Sequence, residues 1–345
     1  MKCLQKTDAH LTSLAPSLEG IPLPSDDASE PQALLTRCPR AAQTPLVQSS
    51  AIADKAQVGE VWLKDERVRM DLGSFKALGA AYVIARDATT EQSAQKTYVT
   101  ASAGNHGLSV AAGAQAFGAS AVIYLADTVP EAFATRLRAL GAEVKRHGAI
   151  YEDSMEGAMQ AAEEHGWILL SDSSWEGYTE RPHRLMEGYL VLMKEAVEQM
   201  PAPPTHIFLQ AGVGGLAAAC AAYARKAWGS APHITVVEPE LAPALQASIK
   251  AGRALTTTGA ASEMGRLDCK EPSLIALKGL ARDADSFMTI SETEGTAGHL
   301  ACNESGLPST PSGAAGISGL LAADRTPLGL NETSRILVIL SEAAT

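Results

Sequence analysis

Leu72-Gly73-Ser74-Phe75-Lys76-Ala77-Leu78-Gly79-Ala80 sets a single lysine among small and apolar neighbours at what reads as a helix start. Ser74 can cap that helix, and Ala77, Leu78, Ala80, Ala81, Val83 and Ile84 call for packed surroundings rather than water. A lysine held there loses hydration, which predicts a lowered pKa and an amine suited to Schiff-base chemistry. The same local pattern also fits a solvated surface lysine, so the segments around it have to decide.

Upstream, Val58-Gly59-Glu60-Val61-Trp62-Leu63-Lys64-Asp65-Glu66 reads as a buried strand that ends in charge and delivers the chain to Lys76. Downstream, strands and helices alternate. Lys96 to Ala101 reads as a strand, Leu108 to Phe117 as a helix, Ala121 to Leu125 as a strand, and Val129 to Leu140 as a helix. Glu143 to Arg146 follows as a strand, Tyr151 to His165 as a helix, and Trp167 to Leu170 as an extended segment. Met186 to Met200 and Leu216 to Trp228 read as helices; His206 to Gln210, His233 to Glu238 and Ile336 to Leu340 read as strands. This alternation predicts an α/β fold of mostly parallel twisted sheets flanked by helices. The rhythm changes near Asp172, and Pro201-Ala202-Pro203-Pro204 is a stiff connector. Two domains are therefore expected: a large one from residues 1–90 and 178–345, and a small mobile one from residues 91–177. Residues 1 to about 50 read as an irregular arm with one short helix around Pro31 to Arg37.

Composition narrows the partners. The chain has 345 residues, 46% of them hydrophobic, which is enough for a sizeable core. Its net charge of −11, without a basic run, argues against nucleic acid or an anionic membrane as a partner. Five widely spaced cysteines show neither a C-x-x-C pair nor zinc-ligand spacing, which suits free thiols in a reducing compartment and gives no metal site. The segment Met1 to Gly20 lacks the apolar core of a signal peptide. A cytoplasmic soluble protein is the expectation.

Three loops fall at strand C-termini, where open α/β sheets bind ligands. Ser102-Ala103-Gly104-Asn105-His106-Gly107 lies between a strand and a helix; its amides and the Asn105 side chain can hold an anionic or phenolic oxygen, or Asn105 can simply cap the helix. Gln210-Ala211-Gly212-Val213-Gly214-Gly215-Leu216 lets several N–H groups point at one phosphate, or makes a structural turn. It nearly matches a dinucleotide fingerprint, but lacks the sixth-position glycine, and the acidic Glu238 comes late. The third is Leu340-Ser341-Glu342, where a hydroxyl follows a buried strand.

Together these motifs, in this order, resemble the pyridoxal-phosphate enzymes of the tryptophan synthase β type, called fold type II. The resemblance implies that Lys76 forms the Schiff base with pyridoxal 5'-phosphate and that Ser102, Ala103, Gly104 and His106 line the loop holding the substrate carboxylate. It further implies that Asn105 bonds the cofactor's ring oxygen, that Gly212, Val213, Gly214, Gly215 and Leu216 cradle its phosphate, and that Ser341 meets the pyridine nitrogen. A neutral hydroxyl at that nitrogen favours β-elimination and replacement over transamination. Within the family, Ser171-Asp172-Ser173-Ser174-Trp175-Glu176-Gly177-Tyr178-Thr179 and Met186-Glu187-Gly188-Tyr189 resemble the diaminopropionate ammonia-lyase branch, where an aspartate matching Asp172 recognises or deprotonates a substrate amine. Asp172 as the cap of a turn is the alternative. Two departures stand out: Ala103 replaces an acid of that branch, and Thr310 stands before Pro311-Ser312-Gly313 in place of the usual glutamate.

The expected reaction is α,β-elimination on an L-β-amino-substituted α-amino acid such as 2,3-diaminopropionate, giving pyruvate and ammonia through aminoacrylate, in a homodimer. The alternatives are a serine, threonine or hydroxyaspartate dehydratase, and elimination of a larger N-substituted group. Alanine transfers no proton, so Lys76 is the only expected base at Cα and L-substrates should be preferred.

Overall fold

Seven strands and four strands form two separate sheets. In the larger, the order is Cys3–Gln5, Ser286–Ile290, His233–Pro239, His206–Gln210, Arg335–Leu340, Glu60–Asp65 and Leu46–Gln48. Its five central strands run parallel, and the two edge strands pair antiparallel. In the smaller sheet, Glu143–Arg146, Ser120–Leu125, Thr97–Ala101 and Ile168–Leu169 lie in that order, all parallel. The computed structural model describes residues 2–90 and 95–344. The domain boundary expected between residues 90 and 91 touches residues 91–94, outside the described residues.

The central strands are apolar on both faces because both faces are covered. Every residue of His206-Ile207-Phe208-Leu209-Gln210 is buried. Leu209 faces the core shared with helices Glu180–Gln199 and Gly215–Trp228, while Phe208 faces the core that holds Ile317 and Leu320 of helix Ala315–Ala322. Parallel strands need crossover connections, and the helices between them supply the covering layers.

Helix Lys76–Thr90 crosses helix Glu180–Gln199 at paired glycines. A Cβ on Gly188 would lie 2.6 Å from the Leu78 carbonyl oxygen and 2.8 Å from Gly79 Cα, so both positions exclude a side chain. The far part of helix Lys76–Thr90 turns to the other sheet, where Ala80, Val83 and Ile84 share a core with Tyr98, Val110 and Ile123. One helix thus begins at the lysine and contributes to the cores of both sheets.

The arm departs from expectation. The expected short helix is present as Ser29–Leu35, but the rest is not irregular: it adds strands Cys3–Gln5 and Leu46–Gln48 and helix Asp8–Leu14. Leu14, Leu18, Ile21 and Leu35 are buried in the core under helix Glu180–Gln199. Their spacing around prolines hides any single period, and tertiary burial orders the segment. Between Pro239 and Arg335 the structure adds helices Ala244–Ala251, Leu274–Asp283 and Glu292–Glu304 and the strand Ser286–Ile290.

Candidate active site

Lys76 is the first residue of its helix, and the Ser74 hydroxyl accepts a hydrogen bond from the Lys76 backbone N–H at 3.3 Å. The ammonium lies 5.2 Å from the centroid of Phe75 and 5.7 Å from that of Tyr189, two rings that meet edge to face at 4.9 Å. It is paired directly with Asp172 Oδ2. This pairing reverses one expectation. Burial pulls the lysine's pKa down, but the Asp172 carboxylate outweighs it and the amine is held above the ordinary lysine range. Asp172 is the converse: burial pushes its carboxyl up, and the Lys76 ammonium beside it, with His106, holds it well below the usual carboxylate range. The Tyr189 hydroxyl is buried without a partner among the described residues, and burial pushes it up to about 12.

Asp172 is held by the segment that carries it. The Tyr178 hydroxyl donates to the Leu169 carbonyl at 2.8 Å and accepts from the Ser171 N–H at 3.1 Å. Trp175 stacks on Tyr178 at 4.4 Å, so both rings brace the turn. The Ser174 hydroxyl pairs with Ser273 at 2.7 Å. His106, buried on the neighbouring helix, donates from Nε2 to the Leu170 carbonyl at 2.7 Å. Its Nδ1 has no partner among the described residues, and burial holds the imidazole below its ordinary pKa. This contact ties the His106 side chain to the segment that carries Asp172.

Of the remaining residues in that loop, Ser102 turns inward, its hydroxyl accepting from the N–H of Gly107 at 3.0 Å and of Gly104 at 3.2 Å. Gly104 precedes helix Asn105–Ala116. Ala103 is exposed and borders a cavity of about 510 Å³ with Arg266, Thr310 and Ser312. The Asn105 side chain donates to Glu342 Oε2.

The glycine turn sits at the start of helix Gly215–Trp228. Gly214 has φ +100°, and its Cβ would press on Ala276 and Leu245 at 3.0 Å, so only glycine suits the position. A Cβ on Gly212 would lie 2.9 Å from Cys269 Sγ. Among the described residues no acceptor takes the N–H groups of Gly214, Gly215 or Leu216, as at any helix start, and they form a small anion cradle. The Val213 carbonyl accepts from the Ser273 N–H at 3.0 Å. Glu238 takes no part: it is buried, accepts from the N–H groups of Leu245 and Gln246 at 2.7 and 2.8 Å, and is pushed up by burial to about 8. A nucleotide ribose has no carboxylate there to meet.

Ser341 is buried one residue past its strand. Its N–H donates to the Gly313 carbonyl at 3.3 Å, and its own carbonyl accepts from the Phe75 N–H at 3.2 Å. The chain end is thereby laced to the segment that carries Lys76.

A family model described as "Pyridoxal-phosphate dependent enzyme" matches residues 39–342. The chain belongs to this family. Its cofactor is pyridoxal phosphate, and the residues present fit that group: an amine at a helix start, a glycine turn with free N–H groups that no side chain could fill, and a buried phenol without a partner. Among curated proteins it is similar to the diaminopropionate ammonia-lyase of Escherichia coli strain K12, 33% identical over 88% of this chain and 84% of that one. It is also similar to the L-threonine ammonia-lyase of Thermotoga maritima, 29% identical over 73% of this chain and 60% of that one. Among solved structures, this pyridoxal-phosphate enzyme matches the Escherichia coli diaminopropionate ammonia-lyase in complex with an aminoacrylate-PLP azomethine intermediate. The TM-score is 0.83 and the identity 31%, over 92% of this chain and 88% of that one.

Sequence reading gave no role to Glu342, which bonds Asn105 and Arg266, although it stands directly after Ser341.

Proposed function

We propose that this enzyme eliminates the β-substituent of an L-α-amino acid with a β-amino group, with 2,3-diaminopropionate as the leading substrate, to give pyruvate and ammonia. The observation that carries this reading is the contact of the Lys76 amine with the Asp172 carboxylate. A substrate with two amines needs a carboxylate beside the lysine, and a hydroxy amino acid does not.

Pyridoxal phosphate, when bound, supplies the electron sink for the charge left at Cα. The N–H groups of Val213 to Leu216 hold its phosphate, and Asn105 and Ser341 meet its ring. The loop Ser102 to Gly104 receives the substrate carboxylate. Lys76 Nζ, once neutral, removes the Cα proton. Asp172 governs that neutrality, because a substrate ammonium group that occupies Asp172 Oδ2 keeps the carboxylate from stabilising a proton on the freed lysine. The β-nitrogen, held as an ammonium group against the Asp172 carboxylate, already carries the proton with which it leaves as ammonia, taking the electron pair of the broken C–N bond. His106 keeps the Asp172 segment in place, and Phe75 and Tyr189 exclude water from the amine.

The second reading is a dehydratase acting on serine, threonine or hydroxyaspartate, or elimination of a larger N-substituted group. Ala103 favours it, since the acid of the diaminopropionate branch is absent and a cavity opens at that side. Alanine also leaves no proton-transfer group on that side of the site, so D-isomers should react poorly.

We further assign residues 1–90 and 178–345 to a cofactor-holding unit and residues 91–177 to a smaller mobile unit, in a homodimer. A cytoplasmic setting is supported by the five thiols, none of which is joined to another. Among the described residues no helix is long and apolar enough to cross a membrane.

The test is an absorbance scan of the purified protein, followed by L- and D-2,3-diaminopropionate and L-serine with pyruvate and ammonia assayed. A visible cofactor band with product from L-diaminopropionate is the expected result. Product from L-serine alone turns the assignment to the dehydratase; a cofactor band with no product from any of them removes diaminopropionate and serine and leaves the other hydroxy and the N-substituted substrates to be assayed.

A further inference from the structure

The proposed mechanism leaves one buried carboxylate beside the site without a task. The Glu342 side chain is 5% exposed and lies two residues past strand Arg335–Leu340. Its Oε1 accepts from Arg266 Nη1 at 2.9 Å and from the Thr310 hydroxyl, and its Oε2 accepts from Asn105 Nδ2. The Glu342 carbonyl accepts from the Ser309 hydroxyl at 2.7 Å. Its backbone forms an antiparallel bridge with Ser74, two residues before Lys76. One side chain therefore ties the helix start of the smaller sheet's loop to two loops of the larger unit.

Burying a carboxylate is costly unless each oxygen is engaged. Burial pushes the Glu342 carboxyl up, while Arg266, Thr310 and Asn105 pull against it. What the arrangement achieves follows from hydrogen-bond inventory. A carboxylate paired with arginine accepts and does not donate, whereas a carboxamide has an accepting edge and a donating edge. Facing Glu342, Asn105 must present its NH2 group, which has a second N–H left to give. An anionic oxygen is the partner such a donor suits.

We propose that Glu342 is a positioning residue that acts through Asn105, fixing the carboxamide so that its second N–H, and not its carbonyl, is offered to the cofactor's ring oxygen. This rests on the reading of Asn105 as the ring-oxygen partner. Glu342 touches neither substrate nor cofactor in this role. It sets the orientation of the group that does, and Arg266 and Thr310 hold Glu342 itself.

The experiment is a double-mutant cycle on the cofactor-loaded enzyme with Glu342→Gln, Asn105→Ala and the pair, read by the wavelength of the visible cofactor band and by kcat and KM separately. Glutamine at 342 has a donating edge of its own, so it no longer dictates which edge of Asn105 faces it. Glu342→Gln alone should shift the band and lower kcat about tenfold, with KM changed less, the size expected for one charge-assisted hydrogen bond. In the Asn105→Ala background the same change should add less than about twofold, because its route is already gone. Equal effects in both backgrounds overturn the proposal while leaving the Asn105 reading standing. So does a Glu342→Gln enzyme whose Tm and cofactor occupancy fall but whose band stays in place. An Asn105→Ala enzyme with an unmoved band removes the Asn105 reading, and the proposal with it. Should Glu342→Gln fold poorly, Glu342→Asp keeps the charge and shortens the reach; it must shift the band in the same direction, and an unmoved band counts against the proposal.

Discussion

At the residue scale, the Lys76–Asp172 pair sets the terms of the chemistry. Lys76→Ala should abolish the visible cofactor band and lower turnover by at least about 10³-fold, since one amine serves as both attachment point and base; a retained band would remove the lysine from that role. Asp172→Asn should keep the band and lower kcat/KM for diaminopropionate by about 10²–10⁴-fold. The pair also has a pH signature in the cofactor-free protein. The Asp172 carboxyl is depressed in the fold, so its contribution to stability is present above the ordinary value of 3.8 and is lost as pH falls below it. Lys76 is raised, so its contribution is present below the ordinary 10.5 and is lost as pH rises through the higher folded value. The Tm difference between the native protein and Asp172→Asn should thus hold steady near neutrality and close below about pH 4. A difference that persists in acid would mean that the side chain stabilises by packing rather than by charge.

At the element scale, the site depends on how closely two helices approach. Helix Lys76–Thr90 starts at the reactive lysine, and its first turn rests on helix Glu180–Gln199 through Gly79 and Gly188. Tyr189, next to Gly188, places its ring beside the Lys76 amine. Gly188→Ala puts a methyl 2.6 Å from the Leu78 carbonyl and must push the helices apart. A cost of about 1–3 kcal/mol is expected from overpacking, measured by urea unfolding, together with a loss of kcat larger than that of KM as Lys76 moves relative to Asp172. An unchanged stability would show that the crossing has slack.

At the scale of the whole molecule, a second buried charge cluster ties the parts together. Glu195 on helix Glu180–Gln199 takes Lys64 at 2.7 Å and Arg69 at 2.6 Å, and Arg69 also holds Glu66 at 2.7 Å. Thr44, from the arm, bonds Glu66 at 2.6 Å. The cluster joins arm, sheet edge and long helix beneath the loop that leads to Lys76. Glu195→Ala leaves two buried cations short of a partner and should cost about 3–5 kcal/mol, seen as a drop in the urea midpoint. A change within about 0.5 kcal/mol would mean that water reaches the cluster. A homodimer predicts a light-scattering mass of twice 36.0 kDa, and a mass of 36.0 kDa would remove that assembly.

What the amino-acid order determined by itself was the local and the periodic. Tyr151–His165, Glu143–Arg146 and His206–Gln210 were legible at their observed bounds, because each stretch has one period and a clear stop. The lysine at a helix start, the glycine turn before an alanine-rich helix and the Asn-bearing loop were legible for the same reason: small residues at strand ends leave few conformations. Tertiary structure alone decided the rest. It ordered the arm, because burial of Leu14, Leu18 and Leu35 comes from partners remote in sequence. It reversed the expected pKa of Lys76, because Asp172 lies 96 residues away along the chain and no local pattern announces the pairing. It turned His106 toward a backbone carbonyl, and it brought Glu342 to Asn105 across 237 residues. Electrostatics act through space. A sequence read along its length shows which charges exist, and only the fold shows which of them meet.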